Sequence, residues 1–600
     1  MSTIKTILGV KVTAHDTGAA LLYKGRIVAI SEERLNRVKH SRNMFPKLAV
    51  DYCLAVAGIS DRHVDMVVLD QVGSRSVSPS EMIFKKNTGS RFAHARLFVI
   101  NHHDAHAASA FFASPFNDAA VLVVDGAGER FRTYQGVLGT ETETSYRGTG
   151  NKLVEIGKTL HIREKTEFPY TVGIGKLYTL ICEGYLNLGH YNEGKMMGLA
   201  PYGDRRVLDA FPFDRWFKEK DGQLVCNPNI IFDGIEEFRR TKKSVSTLDR
   251  IKNRLFRTVA FKLLDWGKVD REGSSFILPS VFEPICLEKT RRRNETLPDP
   301  YYAATAHAVQ KVLEEVMVHL GKKVKAITDS ENICVAGGVG LNIDANKRFL
   351  DDVGFKHIFV QPASSDTGIP LGCVLWGAHQ ILELPRFYRM DSGSLGRTYT
   401  SEEITVALAS RQNEIIVKQS VDVVTDAAEL IASGKIVAWF QGGAEYGPRA
   451  LGNRSILCDA RDPEMKNTVN RRVKHRELWR PFAASVLAEK QREWFELDEP
   501  SPFMLLAAKV PDAKQKLIPS VVHVDGTCRI QAVTEAANPI YYKLLKAFER
   551  KTGVPLFLNT SFNDAGEPIV ETPMDALNCF LKTDMDALVI HDKIVTKKRP

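Results

Sequence analysis

The 600-residue chain holds nine cysteines, yet it contains no Cys-x-x-Cys pair and their spacing follows no pattern. That excludes a disulfide framework and a zinc ribbon, and it predicts reduced, mostly buried thiols. No apolar run approaches the ~18 residues a membrane span needs, and the opening MSTIKTILGVKVTAHD lacks a basic segment followed by a long apolar core. A cytoplasmic protein with no membrane partner is expected. Repeats and low-complexity tracts are missing as well. Basic residues cluster at Arg239-Arg240-Thr241-Lys242-Lys243 and Arg291-Arg292-Arg293, but without the interleaved aromatics of a nucleic-acid surface. These clusters read as solvated faces, no nucleic-acid partner is expected, and the modest net charge of +9 fits small anionic substrates equally well.

The chain is too long for one core and predicts two or three domains. Apolar runs alternate with longer mixed segments, the pattern of an α/β protein. Residues 6–12 and 19–22 read as strands, and Lys24-Gly25 turns the chain into a third at 26–31, so the chain opens on an antiparallel hairpin. From Ile333 the strand ICVA meets the turn Gly337-Gly338-Val339-Gly340, then a helix from Asn342, the strand HIFV and the loop QPASSDTG. That order of strand, glycine turn and helix suits a nucleotide. Residues 211–296 are more polar and read as an inserted subdomain or lid. Residues 388–400, rich in Gly, Ser and Thr, precede the helix-start signal Ser401-Glu402-Glu403 and mark the main boundary, between a domain over 1–390 and one over 400–600.

The stretch NHHDAHAASAFFASP from Asn101 is the richest in chemistry. On a helix, His102 and His106 share one face and can grip a single metal ion, with Asp125 at the end of an apolar strand and Asp366 of SSDTG as oxygen ligands. AHDTGAALL places His15 and Asp16 just past a strand, and EERLNRVKHSRNMFP carries Glu32, Glu33, Arg34, Lys39 and His40, each more often a surface charge than a catalyst. The glycine-rich GYLNLGHYNEGKMMGLAPYG, with Glu193, Gly194 and Lys195 at its centre, suits a nucleotide or phosphate. The last third is different: Arg449 and Arg454 in QGGAEYGPRALGNRSIL, Lys474, Arg476 and Arg480 in VKHRELWRPFAASVL, Arg529 in HVDGTCRIQAV, and Asn559, Ser561 and Asn563 in PLFLNTSFN. Forked donors in glycine-rich, apolar settings point to a polyanion pocket.

Taken together in this order, HDTGAALL, EERLNRVKH, HHDAHAASAF, VVDGAGE, EGKMMGLAPYG, GGVGLN, QPASSDTG, GPRALGNRSI, RELWRPFAASV, HVDGTCRIQAV and LNTSFN resemble the bacterial O-carbamoyltransferases of nodulation-factor and antibiotic biosynthesis. The resemblance implies an actin- and sugar-kinase-like, two-lobed N-terminal domain for carbamoyl transfer and a C-terminal α/β domain of the YrdC-like type that forms carbamoyl-adenylate. It implies carbamoyl phosphate as donor, ATP with Mg2+ as cosubstrate, and a small-molecule alcohol as acceptor. His102, His106, Asp125 and Asp366 become the ligands of iron(II), although the donor set alone also allows other divalent transition metals. His15 matches the acceptor-activating histidine and Lys39 the carbamoyl-binding segment. Gly337, Gly338 and Asn342 join Glu193, Gly194 and Lys195 as nucleotide contacts, and Lys474, Arg480, Arg529, Ser561, Arg449 and Arg454 match the carbamoyl phosphate and nucleotide pocket. Thr17 and Gly18 depart from the family pattern, which usually has serine after His-Asp, so the first phosphate loop differs in detail.

Two rival readings differ in what they require. A sugar-kinase-type phosphotransferase needs an acidic base and no histidine-bound metal. A tRNA threonylcarbamoyl transferase needs a basic stripe for tRNA. Hydrogenase-maturation carbamoyltransferases share both domains but carry paired-cysteine zinc modules, which are absent here. A homodimer is compatible with the chain, and the acceptor is not readable from it.

Overall fold

A computed structural model describes residues 5–71, 78–132, 138–162, 173–186, 188–204, 217–220, 223–226 and 300–598. The first sheet contains β1 (Ile7–Lys11), β2 (Gly18–Tyr23), β3 (Arg26–Ser31), β4 (Met66–Gln71) and β5 (Arg96–Asn101), in the order β3-β2-β1-β4-β5. β1, β2 and β3 are antiparallel neighbours, whereas β4 lies parallel to β1 and β5 parallel to β4. The expected hairpin is present, and its turn residues Lys24 and Gly25 both have positive φ, as a tight two-residue hairpin turn requires.

Every residue of β1 is buried because both faces of the sheet are covered. Leu8 and Val10 join the core cluster that includes the helix Lys47–Ala57, and Ile7 joins the larger core on the opposite face. The two-residue period therefore turns Lys11 to the same face as Ile7, and Asp70 to the same face as Met66 and Val68. Two charged side chains at the ends of apolar strands are thereby brought into the interior.

The second sheet contains β6 (Asp118–Val124), β7 (Arg130–Arg132), β8 (Leu138–Thr149), β9 (Lys152–Ile162), β12 (Asn332–Ala336) and β13 (His357–Val360). Its spine runs β9-β8-β6-β12-β13, with β7 also on β8. β6 is antiparallel to β8 and parallel to β12, and β13 is parallel to β12. Strand order and sense repeat those of the first sheet, so two lobes of one topology are joined in the chain. The central helix His102–Phe111 packs on the helix Ile369–Trp376 at very short range: a Cβ on Gly372 would lie 1.8 Å from the Ala105 carbonyl oxygen. The small residues of AHAASA allow that approach.

Of the expected insertion at 211–296, only the hairpin β10 (Phe217–Lys220) and β11 (Gln223–Cys226) falls within the described residues. The segment 388–400 is coil apart from one isolated bridge, and it leads into the helix Ser401–Ala409, capped by Thr400 and Glu403 in a capping box. Beyond it, a nine-stranded mixed sheet comprises β14 (Ile415–Gln419), β15 (Val437–Phe440), β16 (Arg454–Cys458), β17 (Ala483–Leu487), β18 (Ala507–Lys509), β19 (Thr527–Val533), β20 (Leu556–Ser561), β21 (Ala587–Ile590) and β22 (Lys593–Lys597), in the order β14-β22-β21-β15-β16-β20-β17-β19-β18. The architecture is thus mixed α/β throughout. Seven cysteines with described surroundings are free and buried. No helix among the described residues is long and apolar enough to cross a membrane.

The two parts pack through polar contacts that are buried or partly buried. Arg34, read from sequence as a surface charge, is buried and donates to the carbonyls of Glu445 (3.3 Å) and Gly447 (2.8 Å). Arg37 donates to the carbonyls of Pro568 and Ile569, both at 2.8 Å, and the Tyr52 hydroxyl donates to Glu571 at 2.8 Å.

Candidate active site

β5 ends at Asn101, whose side chain caps the next helix by accepting the amide protons of His103 and Asp104. The helix begins at once, so His102 and His106, one turn apart, both point inward, and each is at most 1% exposed. Asp125 follows β6, and Asp366 opens a 3-10 turn before the helix Ile369–Trp376. One ligand atom from each of the four side chains falls within 4.8 Å of all the others. Asp366 Oδ1 lies 3.4 Å from His102 Nε2 and 3.6 Å from His106 Nε2, and Asp125 Oδ2 lies 3.7 Å from His102 Nε2.

The chemistry of this donor set fits a divalent cation. Both nitrogens of the His106 ring are buried without a hydrogen-bond partner among the described residues, a costly arrangement unless an ion takes one of them. His102 Nδ1 is hydrogen-bonded to Asp70 Oδ2 at 2.9 Å, which turns Nε2 toward the centre in the carboxylate–histidine pattern of metal sites. The Gly338 amide donates to Asp125 Oδ1 at 2.8 Å, leaving Oδ2 toward His102. This is the service of the glycine turn: Gly337 has φ +89°, and a Cβ there would lie 2.3 Å from the Val124 carbonyl oxygen. His103, the remaining histidine of the motif, hydrogen-bonds Thr144, and burial pulls its pKa down to about 4, so it stays neutral. Burial opposes ionisation of Asp366, but Lys11 and His102 outweigh it and hold the carboxyl well below the usual range.

His15 stands at the edge of this centre, its Nε2 3.8 Å from Asp366 Oδ2. Its Nδ1 meets Asp16 Oδ2 at 3.2 Å, and the other oxygen of Asp16 meets His40 Nδ1 at 2.8 Å. The Tyr191 ring covers both imidazoles, with centroids 4.7 and 4.5 Å away. Glu193 starts the helix Glu193–Leu199 and accepts the Thr179 hydroxyl at 2.9 Å. Open space surrounds Gly194, and Lys195 Nζ reaches to 3.7 Å from Glu477 of the C-terminal part. Asn342 is directed otherwise: its side chain caps the helix Ile343–Val353 and pairs with Gln310, a structural duty.

The C-terminal cations gather beside Lys39. Lys474 is buried, and its ammonium donates to oxygens of Ser561 and Asn563, all of them neutral. Burial, then the neighbouring charges of Arg476, Arg480 and Lys39, push its pKa well below the ordinary lysine value. Burial followed by Arg529 and Arg480 does the same to Arg449. Arg449 and Arg529 each have a buried Nε without a hydrogen-bond partner among the described residues. An unpaired buried charge costs on the order of 3–5 kcal/mol, so a set of them fits a site completed by a polyanion. Arg476 is held by Asn470 at 2.7 Å and stacks on Phe482. Arg454 is fully buried, with Nη1 donating to the carbonyls of Gln441, Gly442 and Asn453, while its Nε and Nη2 have no hydrogen-bond partner among the described residues. Glu445 organises the same loop, its Oε1 accepting the amides of Leu451, Asn453 and Arg454.

Two sequence profiles cover most of the chain. "Carbamoyltransferase N-terminus" matches residues 6–86 and 85–375, and "Carbamoyltransferase C-terminus" matches residues 428–597. The chain belongs to the carbamoyltransferase family. Among relatives of this transferase, nodulation protein NolNO of Sinorhizobium fredii is 32% identical over 97% of the chain and 79% of its own length. Nodulation protein NolO of Bradyrhizobium diazoefficiens is 33% identical over 84% of the chain and 79% of its own. A solved HypF of T. kodakarensis is 12% identical, covering 64% of the chain and 49% of HypF, with a TM-score of 0.32. The transferase therefore has two clusters of polar side chains, one in each family segment. Sequence reasoning missed Asp70 and Lys11 of the first cluster. Asp70 had a signal, since MVVLD ends an apolar run in an aspartate just as AAVLVVD does at Asp125.

Proposed function

We propose that the transferase is an ATP-dependent O-carbamoyltransferase with two active sites. The repeated strand order supports an actin- and sugar-kinase-like reading of residues 1–390, and we read residues 400–600 as the YrdC-like unit. In the C-terminal pocket water cleaves carbamoyl phosphate to carbamate and phosphate. The carbamate oxygen then attacks the α-phosphorus of ATP, forming carbamoyl-adenylate and releasing pyrophosphate. At the N-terminal site an alcohol oxygen attacks the carbamoyl carbon, and AMP leaves.

Lys474, Arg480, Arg529 and Arg449 hold the anions and stabilise charge on the reacting phosphates, with Ser561 and Asn563 fixing the Lys474 ammonium. Glu193, Gly194, Lys195 and the Gly337-Gly338 turn frame the adenylate in the N-terminal part. His15 takes the proton of the acceptor hydroxyl, and Asp16 holds its ring in place at 3.2 Å. His102, His106, Asp125 and Asp366 would hold a divalent transition metal, iron(II) in our reading, which when bound supplies Lewis acidity toward the adenylate. The observation that supports the proposal is geometric: one ligand atom from each of His102, His106, Asp125 and Asp366 lies within 4.8 Å of the others, and His15 Nε2 stands 3.8 Å from Asp366 Oδ2.

The separating test is His15→Asn. Adenylate formation from carbamoyl phosphate and ATP should continue, while transfer to the alcohol falls by ~10²–10⁴-fold. Adenylate and carbamoylated product are measured in one reaction. Near-wild-type transfer by the asparagine variant removes His15 from the mechanism.

A further inference from the structure

Lys11 is the one lysine carried by β1, a strand otherwise made of Ile, Leu, Gly and Val, and it is fully buried. Its Nζ lies 3.1 Å from Asp366 Oδ2 and 3.7 Å from Asp70 Oδ2, and it donates to the Thr13 carbonyl at 3.1 Å. The two oxygens of Asp366 are thus divided. Oδ2 faces Lys11, and Oδ1 faces the Nε2 atoms of His102 and His106.

We propose that Lys11 holds Asp366 to ligation through one oxygen. The inference rests on the metal-centre reading above. Carboxylates bind divalent ions through one or two oxygens, and an ammonium on the second oxygen removes the two-oxygen mode. A coordination position that Asp366 would otherwise fill remains for the phosphate of the adenylate. Lys11 is a positioning residue in this account, because it touches neither substrate nor metal.

The experiment measures cobalt(II) affinity of metal-free protein by competition with a chelator, and the change in the cobalt visible spectrum on adding AMP. In Lys11→Met cobalt affinity should rise by ~10-fold or more, because a cation near the ion is gone, while the AMP-induced change should weaken. Lys11→Arg, which keeps the charge, should stay near wild type in affinity. The double variant Lys11→Met with Asp70→Asn keeps both the net charge and an acceptor for His102, and it is less prone to misfold. Its cobalt affinity should return toward wild type while its AMP response stays weak, since Asp366 Oδ2 is still unrestrained. Unchanged or weaker cobalt binding in a folded Lys11→Met, or a full AMP response in the double variant, overturns the proposal. Cobalt binding in His102→Ala equal to that of the wild type would instead sink the metal-centre reading itself.

Discussion

Replacing His102 and His106 together by alanine yields a folded protein that no longer retains a divalent metal and no longer carbamoylates an alcohol. Both imidazoles are buried and both have Nε2 directed at Asp366 Oδ1, so their removal takes half of the donor set and its neutral, softer half. The helix itself should persist, because alanine is the best helix former and the surrounding turns are already alanine-rich. Asp70 loses its bond to His102 but keeps Lys11 within 3.7 Å. Elemental analysis of the purified variant checks the result directly. One tightly held metal per chain in the double variant would remove these residues from the centre. Pyrophosphate release dependent on carbamoyl phosphate should survive, since the C-terminal cations are untouched.

The complementary change acts on the other site. Lys474→Ala or Arg480→Ala should depress carbamoyl-adenylate formation by ~10²–10³-fold, the usual loss when one preorganised charge is taken from a developing anion. Lys474 is the sharper of the two, because its ammonium already has Ser561 and Asn563 as neutral anchors and no carboxylate partner among the described residues. Alanine there also relieves a buried cation crowded by Arg476 and Arg480, so the fold should be no less stable. Carbamoyl-adenylate supplied chemically should restore product in either variant. If a folded variant stays inactive with the adenylate provided, two separate sites cannot be the arrangement.

The four-residue centre was legible because its residue types are specific and its spacing is local: a histidine pair one helical turn apart, and aspartates at strand ends. The hairpin at Lys24-Gly25 and the turn at Gly337 were legible for the same local reason, since backbone geometry there depends on a few adjacent residues. Lys11 and Arg34 were not. A single charge in an apolar strand or an amphipathic helix gives no sign of burial until the partner is known, and their partners lie 355 and 411 positions away, at Asp366 and Glu445. Among the arginines, composition could not show that Arg454 Nη1 is spent on three loop carbonyls, a bonding that Arg449 lacks although both have an unpartnered buried Nε among the described residues. Asn342 stands in a nucleotide-like turn, yet pairing with Gln310 across 32 residues gives it a structural role.

The central claim is that one chain makes a carbamoyl-adenylate and then spends it on an alcohol, and the nucleotide product tests this most directly. Wild-type protein given labelled ATP and carbamoyl phosphate, first without and then with an alcohol that it carbamoylates, should release pyrophosphate in both cases and AMP in step with the carbamoylated product. Release of ADP with transfer of the γ-phosphoryl group to the alcohol would contradict the account and place the N-terminal lobes with the phosphotransferases.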